Sequence, residues 1–277
     1  MFSILTYLLV ATLYGLAGWY FWRVTNRRTP ETRTQKVDVK SVQLILLVPL
    51  VLHGSVLYQS IFVDGLLSFG VGNAVSAIVW IAALIYWLSG FLSALQGLQN
   101  LMAPLSFIAA VAVLVPLLFP VTHPLAHTEL AVFKAHLLAA MLAYGFFTIA
   151  ALHALLMTAL ERHLHQSAGL SLLSRLPPLL VMEKMLFRLV WTGFILLSLT
   201  LFSGIFFSQE IFGQSLTFTH KTLFGIISWI IFAALLAGRH FYGWRGRTAI
   251  RWTLTGFVIL VLAYIGSKFV LEVILSR

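Results

Sequence analysis

The feature that most limits the fold is a succession of eight apolar runs in a chain of 277 residues. They lie at roughly 2–22, 42–63, 68–92, 101–120, 130–158, 187–208, 222–241 and 251–274. An α-helix rises about 1.5 Å per residue, so about 20 apolar residues cross a hydrocarbon layer about 30 Å thick. No water reaches the backbone inside that layer, and a helix pairs its own N–H and C=O groups. Only 9% of the residues are charged, where a soluble domain has about a quarter. There is too little polar surface to cover a water-soluble particle. The expectation is an all-α, polytopic membrane protein. It is a bundle of about eight transmembrane helices in a single integral membrane domain, residues 1–277. The fourth run carries Pro104 and Pro116 and is expected to kink. The fifth is long enough to extend past the membrane. The first run lacks a basic leader and is followed by arginines, not by small residues, so it reads as a retained helix.

The connections carry the orientation. Arg23, Arg27, Arg28, Arg33, Lys36 and Lys40 follow the first run. Arg162, Arg175, Lys184 and Arg188 lie between the fifth and sixth, and Arg239, Arg245, Arg247 and Arg251 between the last two. In an eight-helix alternation these 6, 4 and 4 residues, 14 of the 18 basic ones, share one side. Lys134, Lys221, Lys268 and Arg277 remain on the other. Cytoplasmic loops concentrate Lys and Arg, so both termini are expected to be non-cytoplasmic. The formal charge of +10 is then a topological signal, and no nucleic-acid partner is implied. The longest connection, about 159–186, contains Pro177 and Pro178 and is expected to include an amphipathic interfacial stretch.

Cysteine is absent, which excludes disulfides, thiolate metal sites and covalent haem attachment through C-x-x-C-H. Any metal would take histidine, carboxylate or carbonyl ligands. There is no P-loop, no H-E-x-x-H, no nucleophile elbow and no pair of intramembrane carboxylates. Hydrolysis and ion-coupled transport are therefore poorly supported, and no enzyme activity is expected.

Histidines stand out against this background, because ionisable groups in apolar spans are costly and usually mark function. His53, His136 and His220 all fall in or beside apolar runs, toward the predicted non-cytoplasmic half. Their similar depth suggests a metal or haem site. His136 sits about two turns, roughly 10 Å, into the fifth run. Ala139, Ala140, Ala143 and Tyr144 follow it on the same face. Small residues let a helix or a flat macrocycle approach closely. A plainer role, a hydrogen bond across a helix interface, fits His136 as well. It fits His53, beside Gly54, equally well, and His220 could be an exposed residue at a helix start. His123 and His127 fall in a short loop with Pro120 and Pro124 and read as solvent-exposed. His153 is 17 residues beyond His136, about 25 Å away along the helix, and cannot join the outer site. His163, His165 and His240 read as surface residues. Lys134, Lys221 and Lys268 fit two roles: snorkelling to the interface, or neutralising the carboxylates of an amphipathic anion such as haem propionates.

Three stretches carry a resemblance. Phe69-Gly-Val-Gly-Asn73 opens the third run with an F-x-x-x-N pattern, and His136-Leu-Leu-Ala-Ala-Met-Leu-Ala-Tyr144 starts a helix with a histidine and continues to an Ala-Tyr pair. Phe212-Gly-Gln-Ser-Leu-Thr-Phe-Thr-His-Lys-Thr-Leu-Phe-Gly-Ile-Ile-Ser-Trp229 looks like a tryptophan-rich, haem-contacting segment. Together with Gly243-Trp-Arg-Gly-Arg247 and the Tyr264-Ile-Gly266 end, they make residues 45–275 similar to the cytochrome c assembly family. That family includes the CcsA, ResC, CcmC and HemX-like proteins, and the likeness is in particular to the YpjD type of bacterial inner-membrane protein. The pattern also departs from the family's haem handlers. Phe212, Leu216 and Phe218 stand where those have tryptophans, Thr219 where they have aspartate, and Ser68 where they have a membrane histidine.

The resemblance implies a haem-interacting protein of the bacterial cytoplasmic (inner) membrane that holds, passes or senses b-type haem near the outer leaflet. His136 and His220 would be the metal ligands, with His53 a further candidate. Lys134 and Lys221 would face the propionates, and Phe212, Phe218 and Trp229 the macrocycle. A neutral imidazole ligates iron, so binding should weaken in acid. A second reading is a non-haem accessory or regulatory protein. It would hold another membrane protein or an enzyme of haem synthesis. A third is a transporter of a small amphipathic solute.

Overall fold

The computed structural model describes residues 4–27, 39–63, 66–91, 101–120, 130–166, 178–206 and 220–266. It is an all-helical membrane bundle. The helices are α1 (Ile4–Arg27), α2 (Val39–Ile61), α3 (Val71–Ser89), α4 (Met102–Ala112), α5 (Val115–Leu118), α6 (Ala131–Gln166), α7 (Leu179–Phe206), α8 (His220–Tyr242) and α9 (Gly246–Val261). The last continues as a π-helical turn, Leu262–Gly266. Among the described residues, seven helices are long and apolar enough to cross a membrane, and Met102–Leu118 is a shorter apolar one. Two two-residue strands, β1 (Phe62–Val63) and β2 (Leu66–Leu67), pair antiparallel between α2 and α3.

All eight expected spans contain helix, with three differences. The fourth is broken after Ala112: Pro116 lies in the first turn of α5, where its missing N–H costs nothing, and Pro104 lies in the first turn of α4. The kink therefore belongs to Pro116. The α6 helix runs on to Gln166, past the expected end. The sixth span begins at Leu179, not at 187, so the expected loop 159–186 is helical at both ends. Glu183, Lys184 and Arg188 make that stretch look like a connection, yet Glu183 is buried and neutralised from α8.

Packing follows the chain order in two groups. The first joins α1 to α2 and α4, and α3 to α2, α4 and α5; the second joins α6, α7, α8 and α9. Contact between α3 and α6 links them. Two tryptophans seven residues apart on α3 tie it to α2, because residues two turns apart share a face. Trp80 Nε1 donates to Leu50 O at 2.8 Å, and Trp87 Nε1 donates to Gln43 O at 2.9 Å. Gly54 makes the first bond reachable: a Cβ there would lie 2.8 Å from the Trp80 ring.

The second group is organised by two phenyl rings. Phe147 of α6 and Phe232 of α8 stack with centroids 3.9 Å apart and planes 16° from parallel, and both are fully buried. Each ring occupies space left by a glycine on another helix. A Cβ at Gly193 of α7 would stand 3.0 Å from Phe147, and one at Gly256 of α9 would stand 2.8 Å from Phe232. Lipid tails are as apolar as these rings, so the gain comes from dispersion contacts at close range.

At one end of this group the helices are locked by charge. Glu183 Oε1 lies 2.7 Å from Arg239 Nη1, and Glu183 Oε2 accepts from the Gly246 amide at 3.2 Å. Glu161 of α6 holds Arg247 of α9 at 2.7 Å. The α8–α9 turn between them uses positive φ at Gly243 (64°) and Gly246 (53°), which only glycine adopts without strain.

The stack generates a stability prediction. Phe232→Ala should lower the thermal midpoint in detergent, while the lipid-facing Leu199→Ala should not. In a water-soluble core the cost would be about 3–5 kcal/mol. Here the expected loss is smaller, because the reference chain still meets hydrocarbon. Equal midpoints for the two variants would refute the central role of the stack.

Candidate functional site

His136 lies in the second turn of α6 and is half-buried. Its Nδ1 is 2.9 Å from Ser203 Oγ on α7, and Ser203 Oγ donates its own proton to Thr200 O at 3.1 Å. This bond ties the start of α6 to the end of α7, and the part the ring nitrogen plays in it, donor or acceptor, is set by the histidine tautomer. Gly204, next to Ser203, sits against the ring: a Cβ there would be 3.3 Å from His136 Cε1.

Further residues singled out from the sequence make contacts of their own, mostly in the second helix group. Lys221, in the first turn of α8, places its Nζ 5.8 Å from the centroid of Tyr264 on the π-helical turn. Tyr264 in turn lies 6.2 Å from Phe69, which precedes α3. Trp229 of α8 donates from Nε1 to Ser198 Oγ of α7 at 2.8 Å and stacks on Phe194, with centroids 5.5 Å apart. Tyr144, two turns after His136, donates to Leu260 O at 2.8 Å. The change to i→i+5 bonding at Leu262 leaves a carbonyl in need of a donor there.

His53 is placed elsewhere. It is fully buried between α1 and α3, with Nε2 2.9 Å from Ser76 Oγ and its ring edge-on to Tyr14 at 5.7 Å. His53 and His136 thus bond to different helix pairs. Among the described residues, no three His, Cys, Asp or Glu side chains gather closely enough to hold a metal ion. His220 is the first residue of α8 and is exposed, and Lys134 is exposed on α6. His153 is buried at the far end of α6, donating from Nε2 to Met182 O at 2.9 Å, and His240 is exposed. Phe212, Phe218, His123, His127 and Lys268 lie outside the described residues, as do the side chains of His163 and His165.

The F-x-x-x-N pattern has a local role that the sequence does not declare. Asn73 is buried in the first turn of α3 and accepts from Ser60 Oγ at 2.7 Å. It donates to Ser60 O at 3.2 Å and to Ser68 O at 2.9 Å. One amide closes the connection from α2 to α3 and sets where Phe69 stands. Ser203 is the functional neighbour that sequence reasoning missed. The available signal is the polar pair Thr200 and Ser203, followed by Gly204, within an otherwise apolar run.

Residues 42–275 match the family described as Cytochrome C assembly protein. The inner membrane protein YpjD of Escherichia coli K12 is 34% identical over 139 residues, 50% of this chain and 52% of the relative. A 28.8 kDa protein of Azospirillum brasilense is 32% identical over 141 residues, 51% and 52% of the two chains. The cytochrome c biogenesis protein CcsA of Prochlorococcus marinus AS9601 is 33% identical over 88 residues, 32% of this chain and 28% of the relative. The chain thus spans about half the length of the first two relatives and less of the third. No solved structure matches significantly.

The asparagine gives a direct test. Asn73→Ala leaves the part-buried Ser60 hydroxyl and the Ser60 and Ser68 carbonyls without their partner, at about 1–3 kcal/mol. The expected result is a lower thermal midpoint with helical content retained. An unchanged midpoint would mean that the connection is held by the apolar contacts alone.

Proposed function

The chain belongs to the cytochrome c assembly protein family, and on that premise we propose that it is a haem-interacting, multi-pass protein of the bacterial inner membrane. The site we assign is the end of the bundle where α6 begins and α7 ends. The observation that carries the reading is a half-buried imidazole in a membrane helix, His136, oriented by Ser203 at 2.9 Å with Gly204 against its ring. Gly204 and the alanines after His136 keep the surroundings of the ring small enough for a planar ligand. Lys221, half-buried beside Tyr264, is the cation suited to a propionate, and Trp229 is the retained tryptophan of the tryptophan-rich pattern. A bound b-type haem would supply an iron, and His136 would offer it an imidazole nitrogen. The protein's own part is to orient that ring through Ser203 and shield the site with apolar side chains. His220, at the mouth of α8, is the second candidate ligand. His53 is better explained as a hydrogen-bonding residue between α1 and α3, which leaves room for the second reading: a non-haem accessory protein using the same bundle. We infer no catalytic step for either.

The test is an optical spectrum of the purified protein, oxidised and then dithionite-reduced, for the natural sequence, His136→Ala and Ser203→Ala. A sharp reduced α-band with a shifted Soret peak, lost in His136→Ala, is the expected result. Ser203→Ala should keep haem but alter the band, because the imidazole loses the hydroxyl that orients it. A colourless protein that also fails to take up added hemin would sink the haem reading and leave the accessory one.

The assigned side also follows from the charge distribution, which we read as placing the start of α6 outside the cytoplasm. The natural absence of cysteine makes this easy to check. A single cysteine at Lys134 should react with a membrane-impermeant thiol reagent in intact spheroplasts, and one at Lys184 only after lysis. The reverse labelling would invert the topology.

A further inference from the structure

The end of the bundle where α8 turns into α9 combines two kinds of exposure. Phe241 and Tyr242 are 76% and 79% exposed, and Leu180 and Val181 at the start of α7 are exposed as well. The same helix ends carry the exposed cations Arg162, Lys184, Arg245 and Arg251. The carboxylates of this end that the structure describes already have short ion pairs, Glu183 with Arg239 and Glu161 with Arg247, both at 2.7 Å. Arg245 adds only a 3.8 Å approach to Glu183. Positive charge is therefore in excess among the described residues here.

The turn carrying this excess is rigid. The Trp244 amide donates to Gly238 O at 3.1 Å, and Arg239 Nη1 donates to Trp244 O at 3.2 Å. The Trp244 ring lies over Gly238, where no Cβ could fit. Arg245 and Tyr242 thus leave a fixed scaffold in the same neighbourhood. Water or a soluble acidic partner would suit the cations but leave the large apolar groups wet. Hydrocarbon would suit the rings but not the guanidinium groups. The headgroup layer of a bilayer accommodates both, with aromatic rings at its acyl boundary and phosphates for arginine.

We propose that the α8–α9 turn, together with the start of α7, is a binding site for anionic phospholipid, recognised through its headgroup phosphate by Arg245, Arg251 and Lys184. This assignment is independent of haem binding and of the opposite end of the bundle.

The experiment uses the full chain in mixed phosphatidylglycerol and phosphatidylcholine micelles, with native mass spectrometry reporting which lipid stays bound. The natural sequence should retain phosphatidylglycerol preferentially. That preference should fall about fivefold for each cation removed in Arg245→Gln/Arg251→Gln and persist in Arg245→Lys/Arg251→Lys. The thermal midpoint in phosphatidylcholine alone checks the fold of each variant. Lys184→Gln, at an exposed position, carries the test if the double variant does not fold. Absence of a phosphatidylglycerol preference would overturn the proposal, as would its survival in the glutamine variants. Competition by free glycerol phosphate as strong as by the intact lipid would reassign the site to a soluble anion. Displacement of the lipid by polyglutamate would reassign it to an acidic protein.

Discussion

The close stack of Phe147 on Phe232 is the contact on which the larger half of the bundle depends. In a bilayer no hydrophobic force drives helix against helix, so shape complementarity must do it. Two rings can meet at 3.9 Å in the middle of four helices only because α7 and α9 each present a glycine behind them. The arrangement brings α6, α7, α8 and α9 to one point. The positions of His136 against Ser203, and of Trp229 against Ser198, follow from it, since both pairs sit on helices whose spacing the rings determine. The smaller half uses another device, indole donors from α3 to backbone carbonyls of α2. There a directional bond replaces ring stacking.

Much of the architecture was legible because a membrane span leaves a long, simple signal. Among the described residues, seven of the eight apolar runs became helices long enough to cross a membrane and the fourth a shorter one, whose break a proline explains. The error at the start of α7 has a specific cause. Glu183, Lys184 and Arg188 look like loop chemistry in any window of sequence, and the residue that makes Glu183 tolerable in a helix, Arg239, lies 56 positions later. The site was legible in part for the same reason. His136 and Asn73 could be picked out as isolated polar residues in apolar surroundings. Their partners could not, because Ser203 and Ser60 are small hydroxyls whose importance comes from the helix opposite. The three histidines that look equivalent along the chain separate in space: His53 turns toward α1 and α3, His136 toward α7, and His220 lies at the surface.

Family membership and geometry bear on different parts of this protein. The family match covers α2 to the end of the described chain, whereas α1 lies before it. Yet α1 closes the pocket around His53 through Tyr14 and packs along α4. What surrounds His53 is thus built partly from a helix outside the matched residues, and what surrounds His136 from helices inside them. A ligand role at one cannot be carried to the other on the ground that both are histidines in membrane helices.

The bond from Tyr144 to Leu260 has a consequence for rotation. A helix turns by about 100° per residue, so a residue of π-type underwinding resets the angular phase of everything that follows. Beyond Val261 that phase decides whether Tyr264 points toward Lys221 and Phe69 or away from both. A single phenolic hydroxyl on α6 stabilises the carbonyl at the point where the winding changes. The last helix therefore behaves like a dial whose setting is read at Tyr264 and held from outside, by the same helix that carries His136.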